Sequence, residues 1–284
     1  MRYWVPVIFE PMDQHLELAR IAEACGYEGL ALADHVAVPS AFSSIHPSGE
    51  NPFTAESSFP DPIVTMAAMA AVTTELRFMS YVYVLSMREP LAVAKQVGTA
   101  AVLNGGRTVL GIGAGWLEEE IAILGVDPRS RGRRMDEMIE VLRDLWDDGW
   151  AEHHGEFFDV PRVGMFPVPE QQVPIWVGGS SPAALRRAAR CGGWLGMNYP
   201  VDEIPAILAR LAEARDEVGV EHESFETFVI PNAMPDPELY EQLASWGVTS
   251  TLVMPWFPGD PAVSSIEDKR EAMERTAALL GLGG

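Results

Sequence analysis

The chain has 284 residues, of which 48% are hydrophobic and 21% are charged, so it can bury a large core. Its formal net charge of −21 argues against a nucleic-acid surface and makes an anionic membrane an unfavourable partner. No apolar run is long enough to span a bilayer, and the N-terminal segment lacks the apolar stretch of a secretory signal. We therefore expect a cytoplasmic protein.

Short apolar runs alternate with amphipathic helices along the chain. The runs predict eight strands, at residues 3–9, 30–34, 77–85, 108–113, 174–179, 194–197, 226–230 and 249–254. Continuous apolar strands are typical of a parallel sheet covered on both faces. We therefore predict an α/β fold, a single (β/α)₈ TIM barrel over residues 1–284. An open doubly wound sheet is the alternative, but it needs a glycine fingerprint after the first strand, where this chain has FEPMD.

Three connections are too long for simple turns. Residues 36–59 follow the second strand and residues 255–265 follow the last, so both lie over the C-terminal face of the predicted barrel, the first as a possible lid. Residues 151–173 come after the fourth predicted helix (133–148) and are expected to form a small hairpin insertion outside the barrel.

The candidate site residues follow the strands, because ligands of such barrels bind where the strands end. The binding candidates are Asp34, His35, Ser80, Tyr81, Val82, Gly113, Ala114, Gly115, Gly178, Gly179, Ser180 and Ser181, and the catalytic candidates are His35 and Glu10. In GGSSP, the two glycines allow close approach of a ligand, and either serine can cap a helix whose free N–H groups bind an anion. An ordinary capped turn is the alternative explanation.

His35 ends an apolar strand at the predicted barrel mouth, where an imidazole can donate a hydrogen bond or transfer a proton. A structural histidine is the alternative. The remaining histidines, His15, His46, His153, His154 and His222, show no metal-ligand pattern, and Cys25 and Cys191 show neither metal-site spacing nor a disulfide framework. The sequence therefore does not favour a metal site. No GxSxG motif is present, so it does not favour an acyl-transfer nucleophile either.

Four segments in this order resemble the luciferase-like monooxygenase superfamily, and more narrowly its actinobacterial branch that uses the deazaflavin coenzyme F420. They are ADHV, SYVYVLSMREPLAVAKQVGTAAVLNGGRTVLGIGAGWLEEE, RGRRMDEMIEVLRDLW and PIWVGGSSPAALRRAARCGGWLG. The resemblance covers nearly the whole chain. It implies a barrel with a flavin-like ring across its C-terminal mouth.

The resemblance also implies roles for particular residues. A non-proline cis peptide late in the third strand, at Ser80-Tyr81 or Tyr81-Val82, would back the ring. Gly178, Gly179 and Ser180 would form the phosphate loop, Gly113, Ala114 and Gly115 would lie beside the ring, and His35 would lie near its reacting edge. Trp116 stands where related sugar-phosphate dehydrogenases carry a catalytic Glu, so that substrate is not expected. Glu120 is interpreted as structural, pairing with Arg133 or Arg134.

The leading hypothesis is an F420-dependent oxidoreductase that transfers hydride to or from a small organic substrate. The alternatives are an FMN-dependent monooxygenase and a non-catalytic flavin-binding barrel. The aromatic side chains of Phe42, Phe53, Phe59, Trp116 and Trp256 are candidates for the lining of an apolar substrate cavity. By family analogy we expect a homodimer formed through the helices after strands one to three.

Overall fold

The strands close into a parallel barrel. The computed structural model describes residues 1–49, 51, 53–220 and 224–283. The barrel strands are β1 (Arg2–Val7), β2 (Gly29–Leu32), β3 (Arg77–Ser80) with β4 (Tyr83–Val84), β5 (Thr108–Gly113), β8 (Ile175–Gly178), β9 (Gly193–Tyr199), β10 (Glu226–Pro231) and β11 (Ser250–Leu252). β1 pairs with β2 and β11, and β3 pairs with β5, so the sheet is closed. The predicted TIM barrel is confirmed.

Helices surround the barrel. They are α1 (His15–Ala24), α2 (Pro62–Ala70), α3 (Pro90–Leu103), α4 (Glu118–Ile123), α5 (Arg131–Asp147), α6 (Pro182–Cys191), α7 (Ile204–Val218), α8 (Pro237–Ser245) and α9 (Ile266–Leu279). Several begin with a side-chain cap followed by proline, as at Asp61-Pro62, where the Asp61 carboxylate accepts from the backbone N–H of Val64. In the described part of the chain, no helix combines the length and the hydropathy that crossing a membrane requires.

The interior of the barrel is filled by large side chains that point inward from the strands. Trp4, Met79, Trp176, Leu195 and Phe228 belong to one buried cluster, and Trp4 and Trp176 meet edge to face with ring centroids 6.0 Å apart. A larger cluster lies between the outer faces of the strands and the helices. The barrel is therefore a packed core, and a ligand can enter only at an open end.

The predicted insertion is present as an antiparallel hairpin, β6 (Trp150–His154) and β7 (Asp159–Gly164), which forms its own two-stranded sheet. The Glu137 side chain on α5 accepts from the backbone N–H groups of Glu156, Phe157 and Phe158 in the hairpin turn. The hairpin is thereby fixed to the outside of the barrel. The structure adds the short helix α4, which lies between β5 and α5. His222 lies outside the described residues.

Candidate active site

The third barrel strand is interrupted at its C-terminal end. We expected one strand over residues 77–85, but β3 ends at Ser80 and β4 begins at Tyr83, with a cis peptide bond between Tyr81 and Val82. The second of the two predicted cis positions is therefore the one observed. The interruption turns Val82 toward the neighbouring strand ends. A Cβ built on Gly113 would lie 2.6 Å from Val82 Cγ2, and one on Gly178 would lie 3.0 Å from Val82 Cγ1.

These contacts bring three predicted cofactor segments together around Val82: the interrupted third strand, the loop after β5 and the loop after β8. Gly115 adopts a left-handed φ of +87°, and a Cβ on it would lie 2.6 Å from Val84 Cγ1. The carbonyl of Ala114 accepts a hydrogen bond from Ser86 Oγ at 3.0 Å. The loop after β5 therefore follows the backbone of the interrupted strand closely, which only small residues permit.

Two buried polar side chains hold this interruption in place. Ser80 Oγ donates to the carbonyl of Gly111 at 2.9 Å. The Asp34 carboxylate accepts from the Val84 backbone N–H at 2.8 Å and forms an ion pair with Arg88 at 2.6 Å. Asp34 thus stabilises the backbone that supports the site, and its direct contact with a cofactor stays a prediction.

The loop after β8 is built as the sequence predicted, and Ser181 is the serine that caps the helix. Its Oγ accepts from the Ala184 backbone N–H at 3.2 Å at the start of α6. Gly179 adopts a φ of +110°, a conformation that disfavours side chains. Its carbonyl accepts from the Trp194 indole N–H at 2.8 Å. Pro182 has no N–H and that of Ala184 is bonded to Ser181, so the N–H of Ala183 is the first-turn donor that an anion would use.

A tyrosine that sequence reasoning missed lies beside this loop. The hydroxyl of Tyr199, at the end of β9, is buried beside the Ser180 side chain and the Met197 backbone, and no partner in the described part of the chain meets it in good hydrogen-bond geometry. Burial raises the pKa of Tyr199, so the phenol stays protonated and remains a donor. Arg210 donates to the carbonyl of Ser180 at 2.5 Å and fixes the loop from its other side. A buried hydroxyl donor beside a helix N-terminus fits a bound phosphate.

His35 lies at the mouth with its ring fixed by a buried carboxylate. Glu120, which is 1% exposed, lies 2.6 Å from His35 Nδ1 and accepts from the backbone N–H groups of Val36 and Ala37 at 2.6 and 3.0 Å. Burial raises the pKa of Glu120, but the hydrogen bonds from His35, Ala37 and Val36 outweigh burial and lower it. An ionised carboxylate only accepts, so Nδ1 carries a proton and Nε2 is the ring nitrogen that Glu120 does not bind.

The expected pairing of Glu120 with Arg133 or Arg134 is wrong. Arg133 forms an ion pair with Glu156 of the hairpin, and Arg134 lies 3.1 Å from Glu89. Glu120 points the other way because the first turn of α4 faces the barrel mouth rather than α5. Its side chain instead accepts from the His35 ring and from the backbone N–H groups of Val36 and Ala37.

Glu10, the second catalytic candidate, is 7% exposed and already has partners. Its carboxylate forms an ion pair with Lys269 of α9 and accepts from the Trp256 indole N–H at 2.8 Å. Trp256 is buried at 8% exposure, and its place in the lining of a substrate cavity stays a prediction. This geometry ties the loops after β1 and β11 to α9, and a catalytic role of Glu10 stays a prediction.

A second carboxylate of α4 holds the lid, residues 36–59. Glu119 accepts from the backbone N–H and hydroxyl of Ser43 at 2.7 and 2.9 Å, and from the Ser44 hydroxyl at 2.6 Å. The hydrogen bonds from Ser44 and Ser43 lower the pKa of Glu119 to about 2. The lid is thus attached to α4 at two points, by Glu119 and by Glu120. In the part of the chain that the structure describes, no group of three or more metal-ligand side chains is present.

The luciferase-like monooxygenase family model matches residues 5–246 of this chain. An uncharacterised protein of Mycobacterium tuberculosis is 39% identical over 242 residues, which cover 84% of each chain. An F420-dependent glucose-6-phosphate dehydrogenase of Amycolatopsis mediterranei is 26% identical over 219 residues, which cover 74% of this chain and 62% of that protein. The crystal structure of monooxygenase RslO1 from Streptomyces bottropensis superposes with a TM-score of 0.78 at 18% identity, covering 99% and 98% of the two chains.

The substitution Glu120→Ala is expected to lower the free energy of unfolding by about 1–3 kcal/mol, because the Val36 and Ala37 N–H groups lose their acceptor. Glu120→Gln retains the side chain's size but lets Nδ1 of His35 lose its proton, a change that ¹⁵N NMR of the imidazole reports. The control is Glu118→Gln, whose side chain is 56% exposed and pairs with Arg131, so its effect should stay below about 0.5 kcal/mol. Equal effects of Glu120→Ala and Glu118→Gln on urea unfolding would refute the assignment.

We expect Lys269→Met to destabilise the protein by about 3–5 kcal/mol, because the Glu10 carboxylate is left buried without a counter-charge. Urea unfolding measures this. The double variant Glu10→Gln with Lys269→Met should recover part of the loss, since no uncompensated charge remains. A double variant that is less stable than Lys269→Met alone would contradict this account.

The contact between Glu119 and the lid is expected to change with pH only in the acidic range, where the Glu119 carboxylate takes up a proton. Its pKa is lower in the folded protein than its usual value, so the contact contributes fully above about pH 4.5 and is lost as the pH falls toward 2. The backbone ¹H–¹⁵N NMR signals of Ser43 and Ser44 should therefore be constant from pH 8 to 5 and move at lower pH. In Glu119→Gln this acid transition should be absent, and its persistence would assign it to another group.

Proposed function

Because the chain belongs to the luciferase-like monooxygenase family, we propose that it is an oxidoreductase that uses coenzyme F420. In this proposal it transfers hydride to or from a small organic substrate at the C-terminal mouth of the barrel. The family and the relatives support an enzyme with a flavin or deazaflavin cofactor. The choice of F420 rests on the F420-dependent dehydrogenase relative and on the resemblance described above.

The observation that carries the proposal is the meeting of three segments around Val82. Glycines face it from β5 and β8, and the loop after β8 leads directly into the capped N-terminus of α6. A planar ring resting on Val82 and a phosphate at Ser180 and Ser181 therefore belong to one continuous surface. The buried Tyr199 hydroxyl beside Ser180 supplies the donor that such a phosphate would use.

The bound deazaflavin supplies the hydride chemistry at its ring. The protein's own contribution is to bind, orient and supply protons. The Ala183 N–H at the start of α6, the Ser180 side chain and the Tyr199 hydroxyl bind the phosphate in this proposal. His35 is oriented through Nδ1 by Glu120, so Nε2 is the atom that exchanges a hydrogen bond or a proton with the substrate.

The second candidate is an FMN-dependent monooxygenase. The fold similarity to monooxygenase RslO1, with a TM-score of 0.78 over nearly both whole chains, favours it. FMN carries one phosphate, which the helix terminus and Tyr199 accommodate. A polyglutamate tail of F420 brings further negative charges to a strongly acidic protein, so in the F420 hypothesis we expect that tail to lie mostly in solvent.

We expect oxidised F420 to bind at least roughly tenfold more tightly than FMN, as measured by quenching of each cofactor's own fluorescence. Tyr199→Phe should lower the affinity for the cofactor about tenfold or more, because a hydrogen bond to a charged phosphate is lost. Tyr240→Phe is the matched control, since Tyr240 lies on α8 with its ring against Tyr3. It should leave the affinity unchanged.

Tighter binding of FMN would replace the leading proposal by the monooxygenase alternative. If neither cofactor binds, the oxidoreductase function is wrong. Equal losses in Tyr199→Phe and Tyr240→Phe would mean that Tyr199 acts through stability and not as a phosphate ligand.

A further inference from the structure

Half-buried aromatic rings gather around His35 at the barrel mouth. The His35 ring lies 4.8 Å from the rings of both Phe53 and Phe59, and 5.9 Å from that of Trp116. Phe42 extends the group, with its ring centroid 6.1 Å from Trp116. We call Phe42, Phe53, Phe59 and Trp116 the aromatic cluster. Each ring remains partly accessible, so the cluster presents apolar surface beside the proposed catalytic imidazole.

Few cations reach the loops around the aromatic cluster, and Lys269 and Arg210, which reach them from helices, are bonded to Glu10 and to the carbonyl of Ser180. The segments between each barrel strand and the next helix contain one arginine and no lysine: 8–14, 33–61, 81–89, 114–117, 179–181, 200–203, 232–236 and 253–265. That arginine, Arg88, is paired with Asp34 and lies over the ring of Tyr83, 3.9 Å from its centroid. Burial lowers the pKa of His46, the imidazole on the far side of Trp116, which favours its neutral form.

An open cavity of about 550 Å³ borders the cluster at Trp116. Its wall is formed by Ser43, Ser44 and Ile45 of the lid, by Glu118, Glu119 and Ala122 of α4, and by Pro128. Arg131, which starts α5, is bonded to Glu118 and to the carbonyl of Pro128, so its charge is already compensated. An anionic group that entered here would meet carboxylates and lose its hydration without gaining a free cation.

We propose that the substrate of this site is an uncharged molecule with a planar, apolar ring system. It binds edge to face against Trp116 and the neighbouring phenylalanines, beside His35. Trp116 is the residue that determines this specificity, and the shortage of cations excludes phosphorylated and carboxylated substrates. The inference rests on the proposed function, because it assigns the substrate class of the same mouth, but the aromatic cluster exists in the protein without a cofactor.

The experiment compares two probes of equal shape, 2-acetylnaphthalene, which is neutral, and 2-naphthoate, which is anionic. Their dissociation constants are measured by ligand-observed NMR, on the free protein and on protein loaded with the cofactor that binds. The neutral probe should bind roughly tenfold more tightly, because the carboxylate of the other is desolvated without a partner. Trp116→Ala should raise the dissociation constant of the neutral probe about tenfold, because one aromatic contact and the area that it buries are lost.

A second variant tests the charge argument without removing an aromatic ring. Ile45 lines the cavity and is 72% exposed, so Ile45→Lys can add a cation there without disturbing the core. This variant should bind 2-naphthoate several-fold more tightly, and its dissociation constant for 2-acetylnaphthalene should be unchanged. Phe166→Ala, at an aromatic residue 60% exposed beside the hairpin, is the control for general aromatic binding and should change neither constant.

The proposal is overturned if 2-naphthoate binds as tightly as 2-acetylnaphthalene, if Trp116→Ala leaves the neutral probe unaffected, or if the neutral probe does not bind up to its solubility. Failure of the proposed function is a different result. In that case neither F420 nor FMN binds, while the two naphthalene probes still discriminate on the free protein and still respond to Trp116→Ala.

Discussion

The hydrogen bonds that Glu120 accepts hold the active-site mouth together. One buried carboxylate compensates the imidazole of His35 and the first two backbone N–H groups of the lid, Val36 and Ala37. Because Glu120 lies in the first turn of α4, the segment after β5 determines both the tautomer of the His35 imidazole and the path of the lid. Glu119, one residue earlier, continues the same attachment to Ser43 and Ser44. The lid and the proposed proton donor therefore respond together to any change in α4.

The barrel and its loops could be predicted because their determinants are local. Apolar runs that end in glycine or in polar residues predict buried strands, and Ser181-Pro182 predicts a helix start that the structure contains. A closed parallel sheet then brings every strand end to the same face, so the list of residues that follow the strands already approximates the mouth. The cis peptide position followed from the resemblance and not from any local pattern, since nothing in the letters SYVY distinguishes one bond from its neighbour.

The partners of the polar side chains could not be predicted, because they depend on long-range geometry. Glu120 is 85 residues from His35, and Glu10 is 259 residues from Lys269. One signal was nevertheless present. Leu117 and Ile121 mark the buried face of α4, and Glu120 lies on that face at helical spacing, so a carboxylate there required a buried partner. The predicted partners were the basic residues near Glu120 in sequence, Arg133 and Arg134. This prediction was wrong because Glu120 faces His35 and not α5, where the two arginines lie.

The distribution of charge over the mouth connects the cofactor with the substrate. The proposed phosphate site consists of the Ala183 N–H, the serines and the Tyr199 hydroxyl, with Arg210 bonded to the carbonyl of Ser180 beside it. A site built on lysines would attract anionic metabolites to the same opening. In the proposed function, a helix N-terminus and hydroxyl groups hold the cofactor's charge at one side, while the aromatic cluster and the carboxylates of α4 lie at the other. Under that proposal, position separates an anionic cofactor from an uncharged substrate, because the dipoles at a helix terminus act only within about one turn of the helix.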